Sequence, residues 1–198
     1  MSRTNSFAAI LLGGALAALP VFSQESSRSD ATVQVFGSFV KTTTDNGVQQ
    51  GATNSGGVLA SYRFFFTDNH GVEVNYGYSR NKQTYGLLTG PLGIKSNQNE
   101  VTAAYVYRHA VRHFTPFVEV GVGGLVFAPT DAPGASTQAR AAFVYGGGAD
   151  FNITKRIFAR AEYRGLVYNS PTFDLTPALG TDRLTHRAEP SIGFGYRF

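Results

Sequence analysis

From about residue 30 onward, apolar and polar side chains alternate with a period of two, and the alternation recurs eight times. That period is the signature of a β-strand, whose successive side chains point to opposite faces. The first stretch, near Thr32–Val40, sets Val33, Val35 and Phe39 against Gln34 and Ser38. The second, near Gly57–Phe66, sets Val58, Ala60, Tyr62 and Phe64 against Ser61 and Arg63. In the third, Val72–Ser79, the apolar set is Val72, Val74, Tyr76 and Tyr78, and the opposite face carries Glu73 and Asn75. The fourth (Asn99–His109) opposes Val101, Ala103, Tyr105 and Tyr107 to Glu100, Thr102 and Arg108. The fifth (Thr115–Phe127) opposes Val118, Val120, Val122 and Val126 to Glu119, Gly121 and Gly123. The sixth (Ala141–Phe151) opposes Phe143, Tyr145, Ala149 and Phe151 to Gly146, Gly148 and Asp150. The seventh, Arg156–Gly165, shows Ile157, Ala159, Ala161 and Tyr163 on one face and Arg160, Glu162 and Arg164 on the other. The eighth, Glu189–Phe198, opposes Ile192, Phe194, Tyr196 and Phe198 to Ser191, Gly193, Gly195 and Arg197.

The connections alternate as well. Short turns are expected at Thr67–Gly71, Ala110–His113 and Asn152–Arg156. Long loops rich in Gly, Asn, Thr and Pro are expected near 41–56, 80–98, 128–140 and 169–187. Short turns at one end and long loops at the other describe an up-and-down antiparallel meander of the membrane-spanning kind.

The charge distribution decides which face is inside. One face of every predicted strand is free of charge. The other collects Arg63, Glu73, Glu100, Arg108, Glu119, Asp150, Arg160, Glu162, Arg164, Glu189 and Arg197, six acids against five bases. An Arg or Lys turned toward lipid costs about 2–4 kcal/mol at the bilayer midplane. The apolar face is therefore expected to meet lipid and the charged face to line a lumen, where opposite charges pair. An open edge in hydrocarbon would leave backbone groups without partners, so the eighth strand is expected to close on the first. The expected fold is all-β: a transmembrane, eight-stranded, antiparallel up-and-down β-barrel over residues 31–198. Aromatic residues near the strand ends fit girdles at the two lipid–water boundaries.

Composition sharpens this picture. Gly (23), Tyr (10) and Phe (16) are abundant, and charged residues make up 15%. The first residues read as a secretory signal. Arg3 precedes an apolar run, Phe7–Leu19, which is shorter than the roughly 20 residues a spanning helix needs. Pro20 breaks the run, and cleavage is expected between Ser23 and Gln24, which gives a signal peptide at 1–23 and a short segment at 24–30. The absence of cysteine excludes disulfides and thiolate metal sites. Net charge is +4, without a basic run, and with export this argues against a nucleic-acid partner.

The strand pattern resembles the small eight-stranded outer-membrane barrels of the OmpA/OmpX-like superfamily over nearly all of residues 30–198. The terminal SIGFGYRF is the most specific piece. It is similar to the C-terminal signal read by the barrel-assembly machinery, with Phe194, Tyr196 and terminal Phe198 as its aromatics. The AEYRG and PFVEVGVGG segments resemble family strands. The resemblance implies a bacterial outer membrane location, contact with outer-membrane lipid and lipopolysaccharide, and a surface partner reached through the long loops. The chain ends at its last strand, so the periplasmic peptidoglycan-binding domain of full-length OmpA-type proteins is not expected. Pro190 falls on the lipid-facing parity, which places the start of the last strand at Ser191.

Two enzymes with related barrels act on lipid A, and the deacylase uses a lipid-facing His and Ser two residues apart. Here His70, His109 and His186 are followed by Val72, Val111 and Ala188, and His113 precedes Thr115 at the short-turn end. No catalytic residue, cofactor or metal is therefore expected. His70, His109 and His113 in neighbouring turns read as solvated interfacial residues. Glu119 and Glu162 read as members of a lumen network rather than an acid/base pair. The apolar tip Tyr85–Ile94 is expected either to bind a partner or to pack on the barrel rim. The expected function is a non-enzymatic structural or surface-binding barrel with a charge-plugged lumen; the alternative is a small porin-like channel. A soluble lipocalin-like carrier would need the opposite face polarity.

Overall fold

The computed structural model of the protein describes residues 28–45, 48–87, 90–173 and 184–198. The expected signal peptide and its cleavage site lie outside the described residues, as do 88–89 of the apolar tip and 174–183 of the last long loop.

Ten strands form one antiparallel sheet: β1 (Ser29–Val40), β2 (Thr43–Asp45), β3 (Val48–Ala52), β4 (Ser55–Phe65), β5 (His70–Leu87), β6 (Gly90–Arg108), β7 (Phe114–Pro129), β8 (Gln138–Asn152), β9 (Ile157–Asn169) and β10 (Leu184–Arg197). Eight of them close into a barrel. β1 pairs with both β4 and β10, and the intervening strands pair in chain order. Closure is sealed at the short-turn end, where the Phe198 amide donates to the Ser29 carbonyl at 2.9 Å. The closed sheet leaves no open edge among the eight barrel strands, as a hydrocarbon surround demands.

The exterior is apolar. Val33, Val35, Val74, Val101, Val122, Ile192 and Phe194 are each more than half exposed. Aromatic residues collect at both margins. His70 is bonded to Tyr105 and packs on Tyr107, while Tyr145 reaches His186 at 2.9 Å.

Three sequence expectations are corrected. The region 80–98 is not a loop: β5 and β6 run through it as one long hairpin, paired from His70↔Tyr107 to Leu87↔Gly90. A strand here needs about 9–11 residues to cross a membrane, so β5 and β6 extend well beyond it. Outside hydrocarbon, the outer face no longer has to be apolar, and polar composition there does not signal a loop. The 41–56 region likewise folds into the β2–β3 hairpin, with β3 extending the wall against β5. Finally, the last strand starts at Leu184, not Ser191. Pro190 sits mid-strand, opposite Tyr163 of β9. Its missing N–H is accommodated on the other side, where the ladder to β1 runs to Phe36↔Ser191 and resumes at Phe39↔Ala188.

Candidate functional site

The inward-facing residues form layers along the barrel axis. At the short-turn end Phe65, Val106 and Phe117 make an apolar floor beside buried Phe158. The Arg108 guanidinium stacks over Phe65 at 3.4 Å, and that of Arg63 over Phe117 at 3.8 Å. Ring faces attract these cations where water is scarce.

The first charged layer lies above this floor. Asp150 and Arg160 are directly opposed on β8 and β9, and Arg160 donates to both carboxylate oxygens, Nε to Oδ1 at 2.6 Å and Nη2 to Oδ2 at 3.0 Å. Arg160 also lies 3.5 Å from Glu73 and 3.4 Å from Asp30. Arg63, opposite Glu73 on β5, is ion-paired with it. Bidentate Arg–carboxylate pairing combines charge with fixed geometry.

The second layer centres on Arg164 and Arg187. Arg164 pairs with Glu100, lies 3.4 Å from Glu189 and approaches Glu119 at 3.6 Å. Arg187 pairs with Glu100 and Glu189, and donates to Gln98 at 2.9 Å. Between the layers, Gln34 donates to Glu162 at 2.8 Å and accepts from Ser191 at 3.0 Å.

Of the eleven charged residues singled out from the sequence, nine are buried inside the barrel. Arg108 and Arg197 sit half-buried at the short-turn rim, where Arg108 approaches Asp30 at 3.9 Å and Arg197 donates to Asn152 at 2.7 Å. Two members were missed. Asp30 precedes the first predicted strand and Arg187 falls within a predicted loop, yet each shares the inward parity of its strand, with Thr32 and Gln34 and with Glu189 and Ser191 respectively.

Of the third layer, the sequence offered only the packing of the Tyr85–Ile94 segment on the barrel rim. At the long-loop end the interior is apolar: Tyr85, Ile94, Leu125, Phe127, Val144, Leu166, Tyr168 and Phe173 form one buried cluster. The chain leaving β9 folds inward here. Phe173 is fully buried with φ at 56°, and the Tyr85 hydroxyl donates to the Pro171 carbonyl at 2.8 Å. Tyr85 and Ile94, at the base of the predicted apolar tip, pack into this interior, whereas Leu92 is exposed. Burial pushes the Tyr85 hydroxyl pKa well above its usual value.

Glu73, Glu119 and Glu162 bring carboxylate oxygens within 4.8 Å of one another, a spacing that a cation could bridge. The counter-charge is already there, since Arg63 is paired with Glu73 and lies 4.0 Å from Glu162, with Arg160 3.5 Å from Glu73.

The outer membrane protein beta-barrel domain family matches residues 8–198. Among solved structures, the chain is similar to the outer membrane protein OprG from Pseudomonas aeruginosa, with a TM-score of 0.60 and 18% identity over 88% of this chain and 97% of that one. Neisserial surface protein A aligns with a TM-score of 0.63 and 12% identity, covering 88% and 100%. Ail, the attachment invasion locus protein of Yersinia pestis, solved with the heparin analogue sucrose octasulfate, aligns at 0.51 and 17%, covering 86% and 99%. No curated protein sequence matches the chain.

Proposed function

The chain belongs to the outer membrane protein beta-barrel domain family and resides in the bacterial outer membrane, and from that premise we propose that it is a non-enzymatic barrel with a closed interior that acts through its surface. The carrying observation is the pairing inside. Arg160 and Arg164, both buried, each reach carboxylates from several strands across the interior. Eight strands enclose a space that side chains can fill. Here both signs are present in near-equal number, whereas a selectivity ring carries a single sign. The apolar cluster above the charges adds a second closure. The surface role is supported by the length of β5 and β6 beyond the membrane, and the assembly machinery is the partner that Phe194, Tyr196 and Phe198 would engage through their outward parity. Single-channel recording of refolded protein in planar bilayers tests the reading. It expects no steady current; a large, stable conductance that changes ion selectivity in Glu162→Gln would replace it with the channel.

A further inference from the structure

The charges inside the barrel do not balance. Among the described residues, seven carboxylates and four guanidinium groups are buried. The half-buried Arg108, 3.9 Å from Asp30, makes a fifth cation at the short-turn rim. Seven against five leaves two negative charges without a counter-charge, in a place where bulk water does not screen them.

The shortfall concentrates where Glu73 of β5, Glu119 of β7 and Glu162 of β9 bring their carboxylate oxygens together. Each of the three keeps an oxygen that accepts no hydrogen bond: Glu73 Oε1, both oxygens of Glu119, and Glu162 Oε1. The cations beside them are shared. Arg160 is held by both oxygens of Asp150, Arg63 lies 3.9 Å from Asp150 and over the Phe117 ring, and Arg164, 3.6 Å from Glu119, is also paired with Glu100 and Glu189. A neutral side chain gives a second, independent sign. Asn75, the next inward residue after Glu73 on β5, is 1% exposed, and neither atom of its amide has a partner. Ser61 opposite it on β4, and Thr32 opposite Ser61 on β1, bury hydroxyl groups that are equally unpaired. Buried polar groups in a native fold are nearly always satisfied, so such a row points to bound water or a bound ion.

We propose that Glu73, Glu119 and Glu162 hold a divalent cation, calcium, inside the barrel. The ligands are all oxygens, the choice of a hard cation. Their oxygens lie within 4.8 Å of one another. That span suits calcium, whose ligands sit about 2.3–2.6 Å away, better than magnesium at about 2.0–2.1 Å. Asn75 Oδ1 adds a neutral oxygen, and the Ser61 and Thr32 hydroxyls hold water that completes the coordination. One divalent cation also closes the charge count. The wall shuts around the site, so the ion is taken up as the barrel folds. The site concerns the interior alone and stands apart from the surface role.

The test refolds the full-length chain in a nonionic, lipid-free detergent, once with calcium chloride and once with a calcium chelator. After gel filtration in metal-free buffer, elemental mass spectrometry counts the calcium, and the folded band on unheated gels gives the urea midpoint. Wild type and a Lys155→Gln control retain one calcium per chain and show a higher midpoint when refolded with calcium. Glu119→Gln retains about tenfold less or worse, as loss of a charged ligand predicts, and calcium no longer moves its midpoint. In chelator, Glu119→Gln is more stable than wild type, because it removes a charge that lacks a partner; a carboxylate with a merely structural role would give the opposite sign. Asn75→Ala, which keeps every charge, retains calcium more weakly than wild type and serves if Glu119→Gln does not fold. Wild type that retains no calcium and has the same midpoint in both conditions overturns the site, and leaves a proton shared between Glu119 and Glu162 in its place. Calcium retained equally by wild type and both variants also overturns it.

Discussion

Arg160 and Asp150 face each other across the β8–β9 ladder and are joined by two hydrogen bonds, at 2.6 and 3.0 Å, inside a wall whose other side is apolar. The pair replaces water for both ions, so each depends on the other.

Removing one partner leaves a buried charge uncompensated, which costs about 3–5 kcal/mol, less where water enters. Arg160→Met is therefore expected to lower the urea midpoint of the barrel in lipid vesicles, read by the folded band on unheated gels. Arg160→Met with Asp150→Leu should recover most of the loss. A double variant as unstable as the single would show that the pair is not the unit.

Gly148 faces the interior between β7 and β9. A Cβ there would press on the Ala161 carbonyl and stand 2.9 Å from Glu162 Cα and Phe117 Cζ. Overpacking costs about 1–3 kcal/mol, and backbone on one side leaves little to give. Gly148→Ala should destabilise the barrel, while Ala161→Val on the outer face should leave it nearly unchanged; the same urea titration compares them.

The long-loop end carries a pH dependence through Tyr85. Its folded-state pKa is raised, so the stability it contributes is fully present below the unfolded tyrosine value of about 10 and is lost as pH rises beyond it. Protease susceptibility of the chain near Pro171 should therefore increase above that pH. In Tyr85→Phe, which also loses the bond to Pro171, susceptibility should be raised at neutral pH and insensitive to this titration.

Orientation is testable at lysines. A membrane-impermeant amine reagent added to intact cells should modify Lys82 and Lys95, exposed on the hairpin, and not Lys155 in the short β8–β9 turn. Peptide mapping reads the result, and labelling of Lys155 alone would invert the barrel.

Phe198→Ala keeps the amide that bonds Ser29 and removes only a half-exposed ring, which packs edge-on against Tyr196 and touches none of the buried ion pairs. Expected is a marked fall in outer-membrane insertion in cells with near-normal refolding in detergent. Equal cellular levels of heat-shifting protein would remove the assembly role of the terminal aromatics.

The fold was legible because parity is a strong signal wherever one face must be apolar. Val72 to Tyr78 and Ile192 to Phe198 meet hydrocarbon, and one misplaced charge there would be costly. The signal fades where the constraint does. Above the tyrosines, Arg80 and Lys82 of β5 are as outward as Val74, but water surrounds them, so the sequence looks like a loop while the ladder continues. The interior has the converse problem. Leu125, Phe127, Leu166 and Tyr168 share the inward parity of Glu119 and Arg164, and an apolar residue on a nominally polar face carries no period of its own. Pro190 reads as a strand breaker because the sequence cannot tell which neighbour its missing N–H would have met.

The bond between the Phe198 amide and the Ser29 carbonyl has a consequence for how the molecule comes into being. Seven of the eight barrel seams join strands that are consecutive around the meander and can zip together as each emerges. The eighth joins the two extremes of the barrel, Asp30 with Arg197, and loop-closure entropy delays such contacts. Until it forms, two strand edges are open, each a template for a foreign strand. Closing this seam is thus what ends the hazard, and a periplasmic holdase that shields β1 and β10 until they meet would protect the chain while both edges are open.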